Sequence, residues 1–202
     1  MTASYSIMMH PKDAQVVVIG AGKVGTRRIN QLLDGHSDIL VISPELPESL
    51  VHKVRWEKRR VRDSECFLAS ILVLCTNVPK LHDALMRNRA PRQLIYRADQ
   101  VAQSDFHFPA SIQRGNLTVA LSTHGSSPYY AKRLEREICD ILPGTVEEEL
   151  AFLEEARTAL KQQTMSQTMR AELLKRISAQ TFLNDPNRKE KFKLLAKRRG
   201  EE

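Results

Sequence analysis

The chain has 202 residues, of which 42% are hydrophobic, and its formal net charge is +7. This length suits one nucleotide-binding domain together with a smaller part. No apolar stretch approaches the roughly 20 residues of a membrane span, and the first residues lack a signal-peptide pattern, so we expect a cytoplasmic protein with no membrane partner.

The first predicted elements surround a glycine-rich turn. The sequence QVVVIGAGKVG places an apolar strand, Gln15–Ile19, directly before a G-x-G-x-x-G turn and a helix over Lys23–Leu33. In such a turn Gly20 allows the tight bend, Gly22 lets the backbone approach a pyrophosphate, and Gly25 lets the helix pack against the strand. The first amides of the helix then face the anion. The pattern predicts a dinucleotide site.

Strands and helices alternate after this turn. Further strands are predicted at Asp38–Ile42, Val54–Val61, Ile71–Cys75 and Leu94–Tyr96, with a helix at Pro79–Arg89. The run ILVLC is apolar throughout, which is typical of a parallel strand covered on both faces. The alternation predicts an α/β, Rossmann-like parallel sheet.

The pattern changes beyond about residue 105. Two β-like runs, Phe106–Ile112 and Leu117–Ser122, flank a short stretch with the composition of a hairpin turn. A helix is predicted from Pro128 to about Leu142, with Ser127 as its N-cap. Together these elements predict a small α+β segment.

The rest of the chain is predicted to be a helical C-terminal domain. Thr145 and Glu148 have the spacing of a capping box, in which the glutamate reaches back to the cap residue. A second helix is predicted over Thr168–Ile177, and a third in the basic tail after Pro186.

A dinucleotide site also needs contacts at the carboxyl edge of the sheet. Ser43, Pro44 and Glu45 follow the second strand, where an acidic residue usually bonds the adenosine ribose. Because no arginine stands near this stretch to accept a 2′-phosphate, NAD is favoured over NADP. Thr76 and Asn77 follow the fourth strand, where they either bind the cofactor or cap the loop.

The same edge holds the best-placed carboxylate for acid–base chemistry. Asp99 follows the last strand of the sheet and Asp105 is its competitor, although each also suits a turn. His107 fits a packed strand position. His124 is a site candidate or an ordinary loop histidine, and the amides of Gly125–Ser127 suit a carboxylate ligand.

Other chemistries receive little support from the sequence. There is no G-x-S-x-G nucleophile motif and no H-E-x-x-H pair. Cys66, Cys75 and Cys139 are scattered and form no C-x-x-C pair, which argues against a disulfide framework or a zinc site. We therefore expect no metal-binding residues.

Several stretches together resemble one family. They are the glycine stretch VVVIGAGKVGTRR, SPE after the second strand, the tryptophan-containing VRWEKRRV, LVLCTN and, most distinctive, FPASIQRGNLTVALSTHGSSP. On these motifs the chain resembles the precorrin-2 dehydrogenase/sirohydrochlorin ferrochelatase family of siroheme synthesis. The resemblance covers about residues 12 to 145.

The resemblance assigns roles to individual residues. The family's catalytic aspartate falls on Asp99. Its NAD contacts fall on Gly22, Lys23, Val24, Ser43, Pro44, Glu45, Thr76 and Asn77. The chain departs from the family's pattern at Arg97, where valine is usual, at His82, where asparagine is usual, and at His124, where glycine is common.

The resemblance also implies an activity. NAD would accept a hydride from precorrin-2, Asp99 would take a proton, and the product would be sirohydrochlorin. A basic protein suits this polyanionic tetrapyrrole. The residues expected to bind it are Arg97, Arg114, His124, Gly125, Ser126, Lys132 and Arg133. Some members also insert Fe²⁺, and this second activity stays open because no iron-ligand constellation is visible.

Family members are dimeric, so the resemblance implies a homodimer and a division into three parts. These are an NAD-binding domain over 1–104, a dimerisation hairpin and helix over 105–144, and a helical C-terminal domain over 145–202. The hairpin and its helix fit an interface because they are too small to bury their apolar surface alone.

Two functions from other classes compete with this interpretation. One is a non-catalytic NAD-binding sensor or scaffold of tetrapyrrole metabolism, which the altered residues around Asp99 favour. The other is nucleic-acid binding through the basic tail, Arg188–Arg199. No nucleic-acid-binding motif accompanies that tail, so we expect a solvated end and no nucleic-acid partner.

Overall fold

The computed structural model describes residues 5–9, 14–35 and 38–198. The chain forms two compact units, with the division between Phe108 and Pro109. The predicted boundaries at residues 104 and 144 stay a prediction. Arg199 and the residues after it lie outside the described ranges.

The first unit contains a five-stranded parallel sheet in the order β3-β2-β1-β4-β5. Its strands are β1 (Gln15–Ile19), β2 (Asp38–Ile42), β3 (Arg55–Glu57), β4 (Ile71–Leu74) and β5 (Leu94–Arg97). In the described part of this unit, helices α1 (Lys23–Leu33) and α2 (Pro79–Arg87) connect strands of the sheet. The predicted Rossmann-like sheet is confirmed.

The central strands are covered on both faces. Alternate residues of β1 belong to two separate cores, with Val16 and Val18 in one and Val17 and Ile19 in the other. Ile29 of α1 belongs to the first core and Leu85 of α2 to the second. Because side chains alternate along a strand, the continuous apolar runs of β1 and β4 supply both cores at once.

The strand register brings the functional segments to one edge of the sheet. Ile19, the last residue of β1, pairs with Ile42 of β2 and with Leu74 of β4, and Leu74 pairs with Arg97 of β5. The residues that follow these four strand ends therefore share the carboxyl edge, where open parallel sheets bind ligands.

The predicted edge strand Val54–Val61 is much longer than the observed β3. The strand ends at Glu57 because the chain turns there, with the Arg59 amide donating to the Glu57 carbonyl at 2.9 Å. Among the described strands, β3 is an edge strand and pairs with β2. The alternating pattern alone could not reveal this turn.

The second unit begins with a two-stranded antiparallel hairpin, β6 (Ala110–Arg114) and β7 (Leu117–Leu121). Helix α3 (Pro128–Ile141) follows, and Ser127 caps it by accepting a hydrogen bond from the Tyr130 amide at 3.1 Å. The predicted hairpin and capped helix are confirmed.

Four further helices follow in the second unit, as far as residue 198. They are α4 (Val146–Lys161), α5 (Gln167–Ile177), α6 (Gln180–Leu183) and α7 (Arg188–Arg198). Their shared core contains Phe152, Leu160 and Ile177. Helix α6 was absent from the sequence prediction. No helix within the described ranges is long and apolar enough to cross a membrane.

The predicted capping box at the start of α4 is wrong. The Thr145 hydroxyl donates to Glu149 Oε1 at 2.7 Å, one residue beyond the predicted partner, and its oxygen caps no described amide. Glu149 is buried and Glu148 is exposed, so Glu149 is the glutamate that faces the Thr145 side chain. The side-chain direction, rather than the spacing, decides the contact.

Candidate active site

The glycine turn joins β1 to α1 at the carboxyl edge of the sheet. Gly20 adopts φ +93°, a conformation that L side chains rarely adopt. A Cβ on Gly25 would lie 2.0 Å from the Gly20 carbonyl oxygen, so the helix can approach the turn only because that atom is missing. Around Gly22 a Cβ would meet nothing within 4 Å. The predicted backbone roles of the first and third glycines therefore have a direct steric basis.

The first turn of α1 has the character of an anion site. The helix begins at Lys23 after Gly22, no described side chain caps it, and no acidic residue lies in its first turn. Its leading amides therefore keep their hydrogen-bonding capacity, and the helix dipole adds positive potential at the same point. These are the features that hold a pyrophosphate in dinucleotide-binding proteins.

A cavity of about 730 Å³ opens beside this turn, which is within the range of small-molecule sites. It is lined by the glycine turn, the ends of β2 and β4 and the segment after β3. Of the predicted cofactor residues, six line it: Gly20, Gly22, Ser43, Pro44, Thr76 and Asn77. The other four predicted residues, Lys23, Val24, Gly25 and Glu45, are outside its described lining.

Ser43 ties the end of β2 to the glycine turn. Its side chain is buried and accepts a hydrogen bond from the Ala21 amide at 3.2 Å. Trp56 of β3 donates its indole N–H to the Ser43 carbonyl at 3.0 Å. The serine hydroxyl can still donate its own hydrogen to a ligand in the cavity, whereas Glu45 is exposed to solvent.

Three cationic residues that the sequence analysis did not assign also line the cavity: Arg59, Arg60 and Lys80. Arg59 is held by Glu57 at 2.7 Å and by Glu65 at 2.9 Å, and these carboxylates raise its pKa. The basic run after the edge strand could have pointed to the two arginines. Since β3 is parallel to its neighbour, its carboxyl end lies at the edge of the sheet where ligands bind.

Asp99 follows β5 and lies in a charged cluster. Arg97 donates to it twice, from Nε to Oδ1 at 3.2 Å and from Nη2 to Oδ2 at 2.8 Å. His82 Nδ1 lies 2.7 Å from Oδ1. The hydrogen bonds from Arg97 hold the pKa of Asp99 well below its usual range, and the hydrogen bond with His82 lowers it further against the opposing effect of burial.

Arg97 is committed to this cluster. Its side chain is only 1% exposed, and its Nη1 donates to Asp83 at 2.7 Å and to Gln103 at 2.8 Å. The carboxylates, Asp99 first, raise its pKa. The expectation that Arg97 binds substrate is therefore wrong, because its donors already have partners within the protein.

His82 connects Asp99 to the cavity. The imidazole is fully buried, and its Nε2 lies 2.9 Å from Thr76 Oγ1. The Val78 amide donates to the same hydroxyl oxygen at 3.2 Å. Thr76, His82 and Asp99 therefore form a continuous hydrogen-bonded line. The sequence analysis named His82 only as a departure from a family pattern and missed this connection.

The competing carboxylate, Asp105, has a structural environment. Its Oδ2 accepts from the Ile95 amide at 2.8 Å and pairs with Arg89 at 2.7 Å. The carboxylate thereby joins the chain after β5 to the strand itself. This arrangement favours Asp99 as the functional carboxylate of the first unit.

The predicted substrate residues of the second unit lie at the two ends of its hairpin. Arg114 is exposed at the end of β6, beside the turn. His124, with φ +50°, and Gly125, with φ +83°, form the bend before α3. Ser126 donates its amide to the Thr123 carbonyl at 2.9 Å, so this amide is not free to bind a carboxylate as expected.

The amide of Ser127 is likewise engaged, because it donates to Thr123 Oγ1 at 3.2 Å.

Within the described ranges there is no group of three or more His, Cys, Asp or Glu residues that could hold a metal ion. Burial raises the pKa of the Cys75 thiol to about 11, so this thiol beside the glycine turn stays protonated near neutral pH.

A parallel sheet with a glycine turn, an open helix N-terminus and a cavity at its carboxyl edge defines a dinucleotide-binding protein of the Rossmann type. Residues 7–110 match the family model described as "Putative NAD(P)-binding". The chain belongs to this family. The membership confirms a nicotinamide dinucleotide as the cofactor, and NAD stays the predicted form of it.

Individual relatives point to one group within this class. The chain is 25% identical over 178 residues to precorrin-2 dehydrogenase of Priestia megaterium, covering 86% of this chain and 88% of the relative. It is 24% identical over 135 residues to precorrin-2 dehydrogenase of Bacillus subtilis (strain 168), covering 64% and 83%. The resemblance inferred from the motifs is confirmed.

Longer relatives and a solved structure agree with this placement. Siroheme synthase of Methylobacillus flagellatus is 26% identical over 162 residues, which are 77% of this chain but 35% of that protein. The solved structure of "SirC, precorrin-2 dehydrogenase" has a TM-score of 0.85 at 23% identity, covering 96% of this chain and all of that one. This likeness confirms the fold.

Proposed function

We propose that the chain is an NAD-dependent precorrin-2 dehydrogenase, which removes two hydrogens from precorrin-2 to give sirohydrochlorin in siroheme biosynthesis. The observation that carries this proposal is the juxtaposition of the dinucleotide cavity with the hydrogen-bonded line from Thr76 to Asp99. Relatives with this printed name match most of both chains.

The residues of the glycine turn suit a dinucleotide. Gly20, Gly22 and Gly25 leave the backbone bare, and Lys23 and Val24 open the helix whose amides bind the pyrophosphate. We assign contacts with the adenosine part of the cofactor to Ser43, Pro44 and Glu45, which follow β2. Thr76 and Asn77, which follow β4, are assigned contacts with the part of the cofactor nearer that strand. When bound, NAD⁺ supplies the hydride acceptor.

The protein's own contribution is orientation and charge. Asp99 is ionised, and its negative charge can offset the positive charge that develops on the substrate as a hydride leaves it. Its carboxylate is held by Arg97 and His82, so it is oriented before any ligand arrives. Preorganised charge of this kind costs no rearrangement during the reaction.

The second unit offers the surface for a polyanionic substrate. We assign substrate contacts to Arg114, His124, Gly125 and Ser126, with the net charge of +7 as a general attraction. The side chain of Ser126 and the backbone of Gly125 can serve here, since the Ser126 amide is used within the bend. The predicted cytoplasmic location and the absence of a nucleic-acid partner stay predictions.

We also propose that the protein is a homodimer formed through its hairpin and α3. Tyr129 and Ile141 of α3 are 88% and 77% exposed, so an interface on this helix would remove apolar side chains from water. Sedimentation equilibrium of the full chain tests this proposal. A dimer mass supports it and a monomer mass at all concentrations contradicts it.

Turnover with the purified full chain tests the proposed activity. Precorrin-2 and NAD⁺ are mixed with the protein, and formation of NADH and sirohydrochlorin is followed by absorbance. Catalytic turnover supports a dehydrogenase. NAD⁺ binding in a calorimeter without turnover would instead support the non-catalytic sensor. Fe²⁺ added after turnover tests ferrochelatase activity, which the sequence analysis left open.

A further inference from the structure

We propose that His82 is the proton acceptor of this reaction, reached from the cavity through the Thr76 hydroxyl, and that Asp99 is the residue that positions it. This inference rests on the proposed dehydrogenase function. It changes the expected role of Asp99 from a base that contacts the substrate to a group that acts through the imidazole.

The hydrogen-bond chemistry fixes the direction of the line. An ionised carboxylate can only accept, so the Nδ1–H of His82 donates to Asp99 Oδ1 across 2.7 Å. In the neutral imidazole, Nε2 is then the nitrogen that accepts. The Thr76 oxygen already accepts from the Val78 amide, which leaves its own hydrogen to donate to Nε2 across 2.9 Å. The hydroxyl hydrogen of Thr76 is therefore positioned for transfer to Nε2 of His82.

Burial distinguishes the three members of the line. Thr76 is among the described residues that line the dinucleotide cavity, and His82 and Asp99 are not. The imidazole is fully buried, and the side chain of Asp99 is 20% exposed. A proton that enters the line from the cavity therefore enters at Thr76 Oγ1 and reaches His82 next.

The charge environment disfavours Asp99 as the final acceptor. Arg97 is buried and holds both carboxylate oxygens, which lowers the pKa of Asp99 far below the working range of a general base. The same fixed negative charge stabilises an imidazolium on its neighbour. The pair resembles in geometry the aspartate and histidine of hydrolytic triads, where the histidine carries the proton.

The proton inventory balances without a further reactant. As the substrate loses a proton to Thr76 Oγ1, the Thr76 hydroxyl passes its own hydrogen to His82 Nε2. Threonine is unchanged and the histidine becomes an imidazolium. The electron pair of the broken bond stays in the substrate, and the hydride leaves to the NAD⁺ of the proposed reaction. Afterwards His82 Nε2 returns a proton to Thr76 Oγ1, and the threonine hydroxyl releases its own hydrogen to water.

The charged surroundings of His82 are limited. Asp99 is the charged group that contacts the imidazole, while Arg97 and, beyond it, Asp83 act through that carboxylate. On the other ring nitrogen the described contact is the neutral hydroxyl of Thr76, in the loop between β4 and α2. We therefore expect the pH dependence of kcat to reflect the protonation of His82 beside the ion pair of Asp99 and Arg97.

Three substitutions separate a relay from a structural hydrogen bond. His82→Asn retains a donor toward Asp99 but cannot accept a proton, and we expect kcat to fall by about 10²–10⁴-fold. Thr76→Val should lower kcat in the same way, whereas Thr76→Ser should restore it. The dissociation constant for NAD⁺, measured by calorimetry, should change by no more than about threefold in His82→Asn. His52→Asn, at an exposed histidine, is the matched control.

The pH profile adds a readout that a structural role would not move. In the unsubstituted protein kcat should fall as pH is lowered, because a protonated imidazole cannot accept a second proton. In His82→Asn this acid limb should disappear. Equal kcat and an unchanged acid limb in His82→Asn would overturn the relay while leaving the proposed function intact.

Nitrogen NMR of the ¹⁵N-labelled full chain tests the line without turnover. The His82 signals, assigned by their loss in His82→Asn, should show a proton on Nδ1 and none on Nε2 near neutral pH. A proton on Nε2, with or without one on Nδ1, would overturn the relay. Absence of any precorrin-2 turnover by the unsubstituted protein would overturn the proposed function and the relay together.

Discussion

Two neighbouring regions of the first unit hold their ligand-facing groups by opposite means. The glycine turn after β1 works through missing atoms: bare backbone, a positive φ at Gly20 and a helix end without a described cap. The cluster after β5 works through side chains, with Asp99 fixed by Arg97 and His82 at 2.7–3.2 Å. Steric space governs the first region and charge pairing governs the second.

The difference predicts how each region fails. In the turn, an added atom excludes a ligand or separates the helix from the sheet, and charge is secondary. In the cluster, removing one charged group leaves a buried partner unpaired, which disturbs the protonation of the others. Substitutions in the two regions should therefore affect different measured quantities.

The largest effect is expected in the charged cluster. Asp99→Ala should lower kcat for precorrin-2 oxidation by about 10²–10⁴-fold, because the proton acceptor loses its orienting charge. NAD⁺ binding should persist, since the glycine turn is untouched. Asp34→Ala, at an exposed aspartate after α1, is the control. Unchanged turnover in Asp99→Ala would remove the cluster from the mechanism.

The next effect is expected at Gly22 of the turn. Gly22→Asp should weaken NAD⁺ binding by about 100-fold or more, because a carboxylate would occupy the phosphate approach at a helix N-terminus. A Cβ there meets nothing within 4 Å, so the free energy of unfolding should change by less than about 0.5 kcal/mol. Calorimetry and urea unfolding measure the two quantities. Retained NAD⁺ affinity would contradict the assignment of this turn.

A smaller effect, on stability, is expected three residues further along. Gly25→Ala should lower the free energy of unfolding by about 1–3 kcal/mol, because its Cβ would lie 2.0 Å from the Gly20 carbonyl oxygen. Gly22→Ala is the matched control, with the same added methyl group in open space. Equal stability of these two variants would show that the turn relaxes without cost.

The smallest effect is a pH dependence of stability. The pKa of Asp99 is lowered in the folded state, so its contribution is complete above the unfolded value of about 3.9 and is lost as pH falls toward the folded value. The difference in unfolding free energy between the unsubstituted chain and Asp99→Asn should therefore be constant between about pH 7 and 5 and shrink below about pH 4. Asp38→Asn, which breaks an exposed pair with Arg55, serves as the control. A difference that grows on acidification would contradict this sign.

The same contrast explains what the sequence could predict. The glycine turn is a local pattern, so β1, α1 and their three glycines were predicted at the observed residues. The edge strand was predicted too long because the turn after Glu57 leaves no periodic signal. The capping box failed because side-chain direction selected Glu149.

The charged cluster could be predicted only in part. Asp99 was placed correctly at the carboxyl edge, but its partners come from β5 and α2, up to 17 positions away in the sequence. Their contact depends on the register that sets Leu74 opposite Arg97. The available signal was that both unusual residues, His82 and Arg97, occurred near the aspartate in one family pattern. Only the structure shows that they touch it.

The most direct test of the account is the stoichiometry of NAD⁺ reduction in a single reaction with limiting precorrin-2. The account predicts one NADH formed for each precorrin-2 consumed by the unsubstituted chain, and an initial rate at least about 100-fold lower for Gly22→Asp at the same subsaturating NAD⁺ concentration. Consumption of precorrin-2 without NADH, or equal initial rates of NADH formation by both proteins, would contradict it.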